Sequence, residues 1–162
     1  MKNSQTLSPQ FNNIQLQPNT KNIVYSYKPD ATHRLLNQKL IEELRSIGRE
    51  ENKITRLCFH LSKQALLQSM LIYLPKGASY PLHLHPNKNE SYQIIQGTIQ
   101  FTIKQSVSDD INTFILDKAS PFYYSQKNTW HSLQAIESEA LYIESREGPF
   151  DDILQNDTIW KD

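Results

Sequence analysis

From Arg56 onward the chain divides into short runs of β-forming residues separated by turn signals, and this rhythm constrains its fold more than any other feature. The runs cover residues 56–61, 65–74, 92–96, 98–105, 113–116, 122–124, 129–135 and 140–144. Between them stand Pro75-Lys76-Gly77, Gln96-Gly97, Ser108-Asp109-Asp110, Lys118-Ala119-Ser120-Pro121, Gln126-Lys127-Asn128 and Glu137-Ser138-Glu139. Short strands at roughly 8 to 12 residue spacing predict an all-β sandwich or barrel of about one hundred residues. A chain of 162 residues then has room for that one domain and short additions.

The additions lie mostly before it. Eight of the first twenty residues are Asn or Gln, with Pro9 and Pro18 among them. Such a segment buries too little apolar surface to offset its ordering entropy, so residues 1–20 read as a flexible leader. Residues 21–50 read as a strand plus a helix packing on the barrel. Ile23, Val24, Tyr25 and Tyr27 form the strand, and Pro29 closes it. Leu35, Leu36, Leu40, Ile41, Leu44 and Ile47 recur at helical spacing, with Asp30 or Thr32 as the expected cap and Gly48 as the expected C-terminal stop. Residues 51–150 make the barrel. Residues 151–162 are an acidic tail whose isolated Trp160 is expected to dock on it.

Several function classes drop out. Lys and Arg together number 17, as do Asp and Glu, which leaves no electrostatic footprint for nucleic acid or an anionic membrane. Nothing approaches the roughly 18 to 20 apolar residues of a membrane span, and no secretory h-region is present. The single cysteine, Cys58, excludes an intrachain disulfide framework and a Cys-based zinc cluster. Together these features point to the cytoplasm. Phosphate loops, nucleophile elbows and CxxC pairs are also absent.

The chemistry concentrates between Gly77 and Gly97. On a strand His83 and His85 face the same way, a natural clamp for a divalent transition metal. The turn over Pro86–Asn89 returns the chain so that Glu90 can supply an oxygen beside them. A fourth ligand must come from a distant strand, and His131 is the obvious donor. Three imidazoles and a carboxylate suit Fe, Mn, Zn, Ni or Co, and leave one or two positions open.

The spacing Gly-x5-His-x-His-x4-Glu-x6-Gly resembles the first motif of the cupin superfamily at every defined position. The second motif is degraded: His131 is kept, but Ser120, Gln126, Asn128 and Ala135 replace the usual Gly, Pro, Gly and Asn. Asn128 is the mildest change, because Asn tolerates the left-handed turn conformation. The stretches Thr129-Trp130-His131-Ser132-Leu133 and 142–151, with His60-x-Ser62 and Gln68, look like WbuC-type cupin metalloproteins of bacterial polysaccharide gene clusters. The likeness covers residues 34 to 152; Ala65 and Ser69 depart from it. It implies a double-stranded β-helix, or jelly-roll, that binds metal in surface-carbohydrate biosynthesis.

On this reading the metal ligands are His83, His85, Glu90 and His131. Glu90, Tyr92 and His60 are candidates for proton transfer, and Gln68, Tyr92 and His60 for the ligand pocket. His60, between Phe59 and Leu61, could equally be packed. Trp130 points away from His131 and His33 into solvent, while Glu144, interrupting an apolar strand, is expected at an exposed edge, with a second acid/base or ligand-orienting carboxylate as the alternative. The expected function is an isomerase-, epimerase- or lyase-type metalloenzyme acting on a sugar or nucleotide-sugar intermediate. An Fe(II) dioxygenase and a non-catalytic metal- or saccharide-binding module are the alternatives. A homodimer, paired through the strand at Asn22–Tyr27, is also expected.

Overall fold

The computed structural model describes residues 5–18, 21–105, 110–150 and 158–160. Its twelve strands are β1 (Ile14–Gln17), β2 (Ile23–Tyr27), β3 (Thr55–Cys58), β4 (Leu67–Leu74), β5 (Ser79–Leu84), β6 (Glu90–Gln96), β7 (Ile99–Gln105), β8 (Ile111–Leu116), β9 (Phe122–Ser125), β10 (Thr129–Ala135), β11 (Ala140–Glu147) and β12 (Ile159–Trp160). One helix, α1 (Gln38–Glu51), joins β2 to β3. A seven-stranded sheet runs β1-β2-β3-β4-β11-β6-β9 and faces a five-stranded sheet, β12-β5-β10-β7-β8. Every pairing is antiparallel except β2 with β3, whose connection passes through the helix.

Alternation assigns the two faces of the larger sheet. Leu57, Leu71, Tyr73 and Leu141 join Tyr25 and the helical Leu40, Ile41, Leu44 and Ile47 in one core. Met70, Ile72, Leu74, Tyr92, Ile94 and Tyr142 point the other way and meet Ile99, Phe101, Leu116 and Leu133. The result is helix on sheet on sheet. The central strand β4 is buried on both faces from Met70 to Leu74, which is why its sequence is continuously apolar instead of alternating.

In the described part of the expected leader, β1 pairs antiparallel with β2 and buries Ile14. Ser8 donates from its backbone N and its Oγ to the Glu43 carboxylate on α1, at 2.8 and 2.6 Å. Ladder and side-chain hydrogen bonds thus hold a segment with few apolar residues. The same pairing places β2 inside the sheet, between β1 and β3, so its own edges are already taken.

The helix is displaced toward the C-terminus. Asn37, rather than Asp30 or Thr32, caps it, its side chain accepting from Leu40 N at 2.9 Å. The segment before it is tied to the barrel, with Tyr27 Oη donating to Leu35 O and Arg34 Nη1 to Phe59 O. Leu35 is accordingly 71% exposed. Gly48 lies inside the helix, and Asn52 at φ 48° closes it. A Cβ at Gly48 would lie 2.7 Å from Tyr73 Cε1 and 2.9 Å from Thr55 Oγ1, so the glycine admits close packing of helix on sheet. No helix among the described residues is long and apolar enough to cross a membrane.

Candidate metal centre

Two of the three histidines come from paired strands of the smaller sheet, and the third follows directly after one of them. His83 is in β5 and stands opposite His131 of β10 in register, and His85 directly follows β5. Glu90 opens β6 in the other sheet, so the site closes the barrel from both sides. The turn between them is clamped by Asn89: its side chain accepts from Lys127 N at 3.0 Å, and its backbone N donates to Glu147 at 2.8 Å. Asn128 takes the left-handed conformation at φ 63° and donates its N–H to His85 O at 2.9 Å. The turn ahead of His131 therefore forms although the second motif is degraded.

Donor atoms of His83, His85 and His131 all lie within 4.8 Å of one another. Each ring is held through Nδ1. That of His83 meets Pro81 O at 2.8 Å, that of His131 meets Thr129 O at 3.0 Å, and that of His85 meets Thr158 Oγ1 at 3.2 Å. Donating Nδ1–H to a carbonyl leaves a lone pair on Nε2, the arrangement that second partners impose on metal-binding histidines. Glu90 Oε1 approaches His85 Nε2 at 3.2 Å, and its Oε2 approaches His131 Nε2 at 3.0 Å. Tyr92 donates its hydroxyl to the same Oε2 at 2.8 Å.

These electron-rich atoms converge where almost no water reaches: Glu90 is 3% exposed and His131 1%. A lone pair facing a carboxylate needs a proton or a cation between them. Burial opposes charge on both Glu90 and His131, but their mutual hydrogen bond prevails. It lowers the Glu90 carboxyl to about 2 and raises the His131 imidazole. Burial and the neighbouring His131 push His83 down to about 4, keeping it neutral and able to donate a lone pair. The residues fit a divalent cation.

A cavity of about 880 Å³ opens beside them and contains all the sequence-nominated pocket residues. Their polar ends are largely occupied. Tyr92 is fully buried and committed to Glu90. Gln68 donates to Lys63 O at 2.8 Å and accepts from Arg146 Nε at 3.4 Å. His60 Nδ1 lies 3.2 Å from Ser69 O, and burial lowers its pKa. Glu144 corrects the sequence reading: β11 is an interior strand, paired on both sides, and Glu144 lines the cavity. Burial, then the Glu90 charge, raises its pKa. Sequence reasoning also missed Arg56, Arg146 and Tyr80 on this wall. The period-two phase of Arg56 with Cys58 and of Arg146 with Glu144 was visible, but not which face was hollow. Most of the tail, 151–157 and 161–162, lies outside the described residues. Trp160 docks as expected, its ring 4.8 Å from that of His83.

No family model matches the sequence, and no curated protein matches it. Solved structures do resemble the fold. Capsular polysaccharide assembling protein CapF from Staphylococcus aureus aligns over 67% of this chain with TM-score 0.56 and 16% identity. The alignment spans only 31% of CapF. The Cnp3 cupin domain of Schizosaccharomyces pombe aligns over 58% of this chain and 64% of its own, at 16% identity and TM-score 0.49. The fold is that of a cupin. The two facing sheets meet at the cluster of His83, His85 and His131.

Proposed function

We propose that this cupin is a metal-dependent enzyme of the WbuC type, acting on a small sugar or nucleotide-sugar intermediate of surface-polysaccharide biosynthesis in the cytoplasm. The observation that carries the metal assignment is the inward convergence of three oriented imidazoles, two of them meeting the Glu90 carboxylate, beside an 880 Å³ cavity. His83, His85, His131 and Glu90 would hold the ion. A divalent transition metal there supplies Lewis-acid polarisation of a carbonyl or hydroxyl.

The chain's own groups divide the remaining work. Tyr92 orients Glu90 and is too committed to serve as an independent acid. Glu144, on the strand next to Tyr92, lines the cavity and accepts no hydrogen bond from a described residue. It is the group best placed to hold and move a proton, in keeping with an isomerase-, epimerase- or lyase-type step. The fold likeness to CapF, whose name records capsular polysaccharide assembly, agrees with the carbohydrate setting.

The test is elemental analysis of untagged protein together with turnover on a panel of sugars and nucleotide sugars. Wild type is expected to carry one equivalent of a transition metal, and His83→Ala to lose both metal and turnover. Turnover that survives loss of the metal would overturn the proposal. Metal-dependent O₂ consumption would move the assignment to an oxygenase.

A further inference from the structure

The register of the seven-stranded sheet places a cationic wall beside the metal centre. Across β4, β11 and β6, Gln68, Arg146 and Glu90 are directly opposed. In the next inward-facing row Cys58, Met70, Glu144 and Tyr92 align, followed by Arg56, Ile72, Tyr142 and Ile94. Arg146 is therefore the cross-strand neighbour of Glu90, and Arg56 lies two rows further along the same face. Both line the cavity together with His83 and His85.

Neither guanidinium has a carboxylate within ion-pair distance among the described residues. Arg56 gives one Nη2 hydrogen bond to Tyr80 Oη at 2.6 Å and lies over that ring. Its Nε is buried without any partner. Burial keeps the Tyr80 phenol neutral, so that contact brings no countercharge. Arg146 stacks over Phe150 at 5.1 Å and makes one long bond from Nε to Gln68, and its outer nitrogens meet no acceptor among the described residues. The cavity lining holds Arg56 and Arg146 against Glu90 and Glu144, and a divalent ion at the histidines would add two positive charges. Among the described residues this wall carries surplus positive charge and a buried unused donor, a setting suited to an anion.

We propose that Arg56 and Arg146 form the anion subsite of this cavity and receive a carboxylate or phosphate group of the ligand. The planar guanidinium fork matches both groups. This deepens the preceding reading, because it rests on the same cavity being the ligand site. The ligand is then bifunctional, with oxygen donors at the histidine end and an anionic group beside it. In the register Glu144 lies in the row between Arg146 and Arg56 on the same face.

The test uses the full chain stripped of metal, so that no probe can bind through an ion. Binding of inorganic phosphate and of succinate is measured by calorimetry for wild type, Arg56→Gln, Arg56→Lys and Arg146→Gln. Metal affinity is measured in parallel by competition with a chelating dye. At least one probe is expected to bind wild type, and each Gln variant to weaken it about tenfold, the effect of one charge-assisted bond. Arg56→Lys recovers part of the loss, and metal affinity changes little. The stronger probe identifies the anion as phosphate or carboxylate. No binding of either probe, or equal binding by all variants, would overturn the inference while leaving the metal reading intact. Arginine-dependent binding in a protein that takes up no metal would do the reverse. Arg146→Gln, at a half-buried position, keeps the test decisive should Arg56→Gln fail to fold.

Discussion

Replacing Tyr92 by Phe deletes one oxygen from the centre of the site. The ring is enclosed by Phe101, Tyr123 and Tyr142, so phenylalanine preserves the packing and the change isolates the hydroxyl. That hydroxyl donates to Glu90 Oε2 at 2.8 Å in a position 1% exposed. Losing a buried hydrogen bond to a charged acceptor costs about 1.5–3 kcal/mol. For a chain of this size that corresponds to a fall in Tm of roughly 3–12 °C in the metal-free protein. A second consequence follows from orientation: without its donor Glu90 can rotate, and loss of such a partner weakens metal affinity by about 10–100-fold. Calorimetry of the stripped protein and dye competition with the metal read the two effects separately. Tyr124→Phe, at an exposed position, serves as the control and should change stability by less than about 0.5 kcal/mol. If Tyr92→Phe matched wild type in both measurements, the hydroxyl would not be holding Glu90 and the ligand geometry would need another source.

Three further outcomes are expected. Thr158→Val removes the hydroxyl facing His85 Nδ1 and should weaken metal binding about tenfold; an unchanged constant would show that the C-terminal segment does not orient that ring. Gly48→Ala gains helix propensity but drives a methyl into Tyr73 and Thr55. Overpacking of about 1–3 kcal/mol should outweigh the propensity gain of about 1 kcal/mol, so Tm falls, whereas a rise would mean the contact is slack. Glu139 joins sheet to helix by accepting hydrogen bonds from Arg49 and Arg45 of α1 and Tyr73 of β4. The bonds from Arg49 lead in lowering its carboxyl to about 2 from an ordinary 4.5. A depressed pKa stabilises the fold above about 4.5, and the contribution fades as pH falls toward 2. Glu139→Gln should cost about 1 kcal/mol at neutral pH after allowance for solvent screening, with the gap to wild type closing in that acid window. A constant gap from pH 7 to pH 2 in urea titrations would refute the assignment.

Much of this protein was legible before its structure. The barrel follows from short apolar runs between turn residues, because strand pairing needs little more than alternation and places to reverse direction. The same-face pair His83 and His85 follows from period two, and Asn128 was recognisable as the residue that could stand in for a turn glycine. Helix limits were less legible: Leu35 and Leu36 keep the helical period, but Asn37 caps and Tyr27 holds the preceding segment extended. The pairing of β1 was not legible because edge pairing depends on backbone groups that a polar composition does not report.

The sequence by itself determined the local periods, the turns and the residue types able to bind a metal. Tertiary structure alone decided that β11 inserts between β4 and β6, bringing Glu144 and Arg146 onto the cavity wall with Arg56. It also decided that Tyr92 is spent on Glu90, and that Thr158 and Trp160 return to the histidines from the end of the chain. The physical reason is that alternation fixes which residues share a face. Which face becomes a core and which a cavity depends on pairings between strands distant in sequence, through hydrogen bonds that any residue's backbone can make.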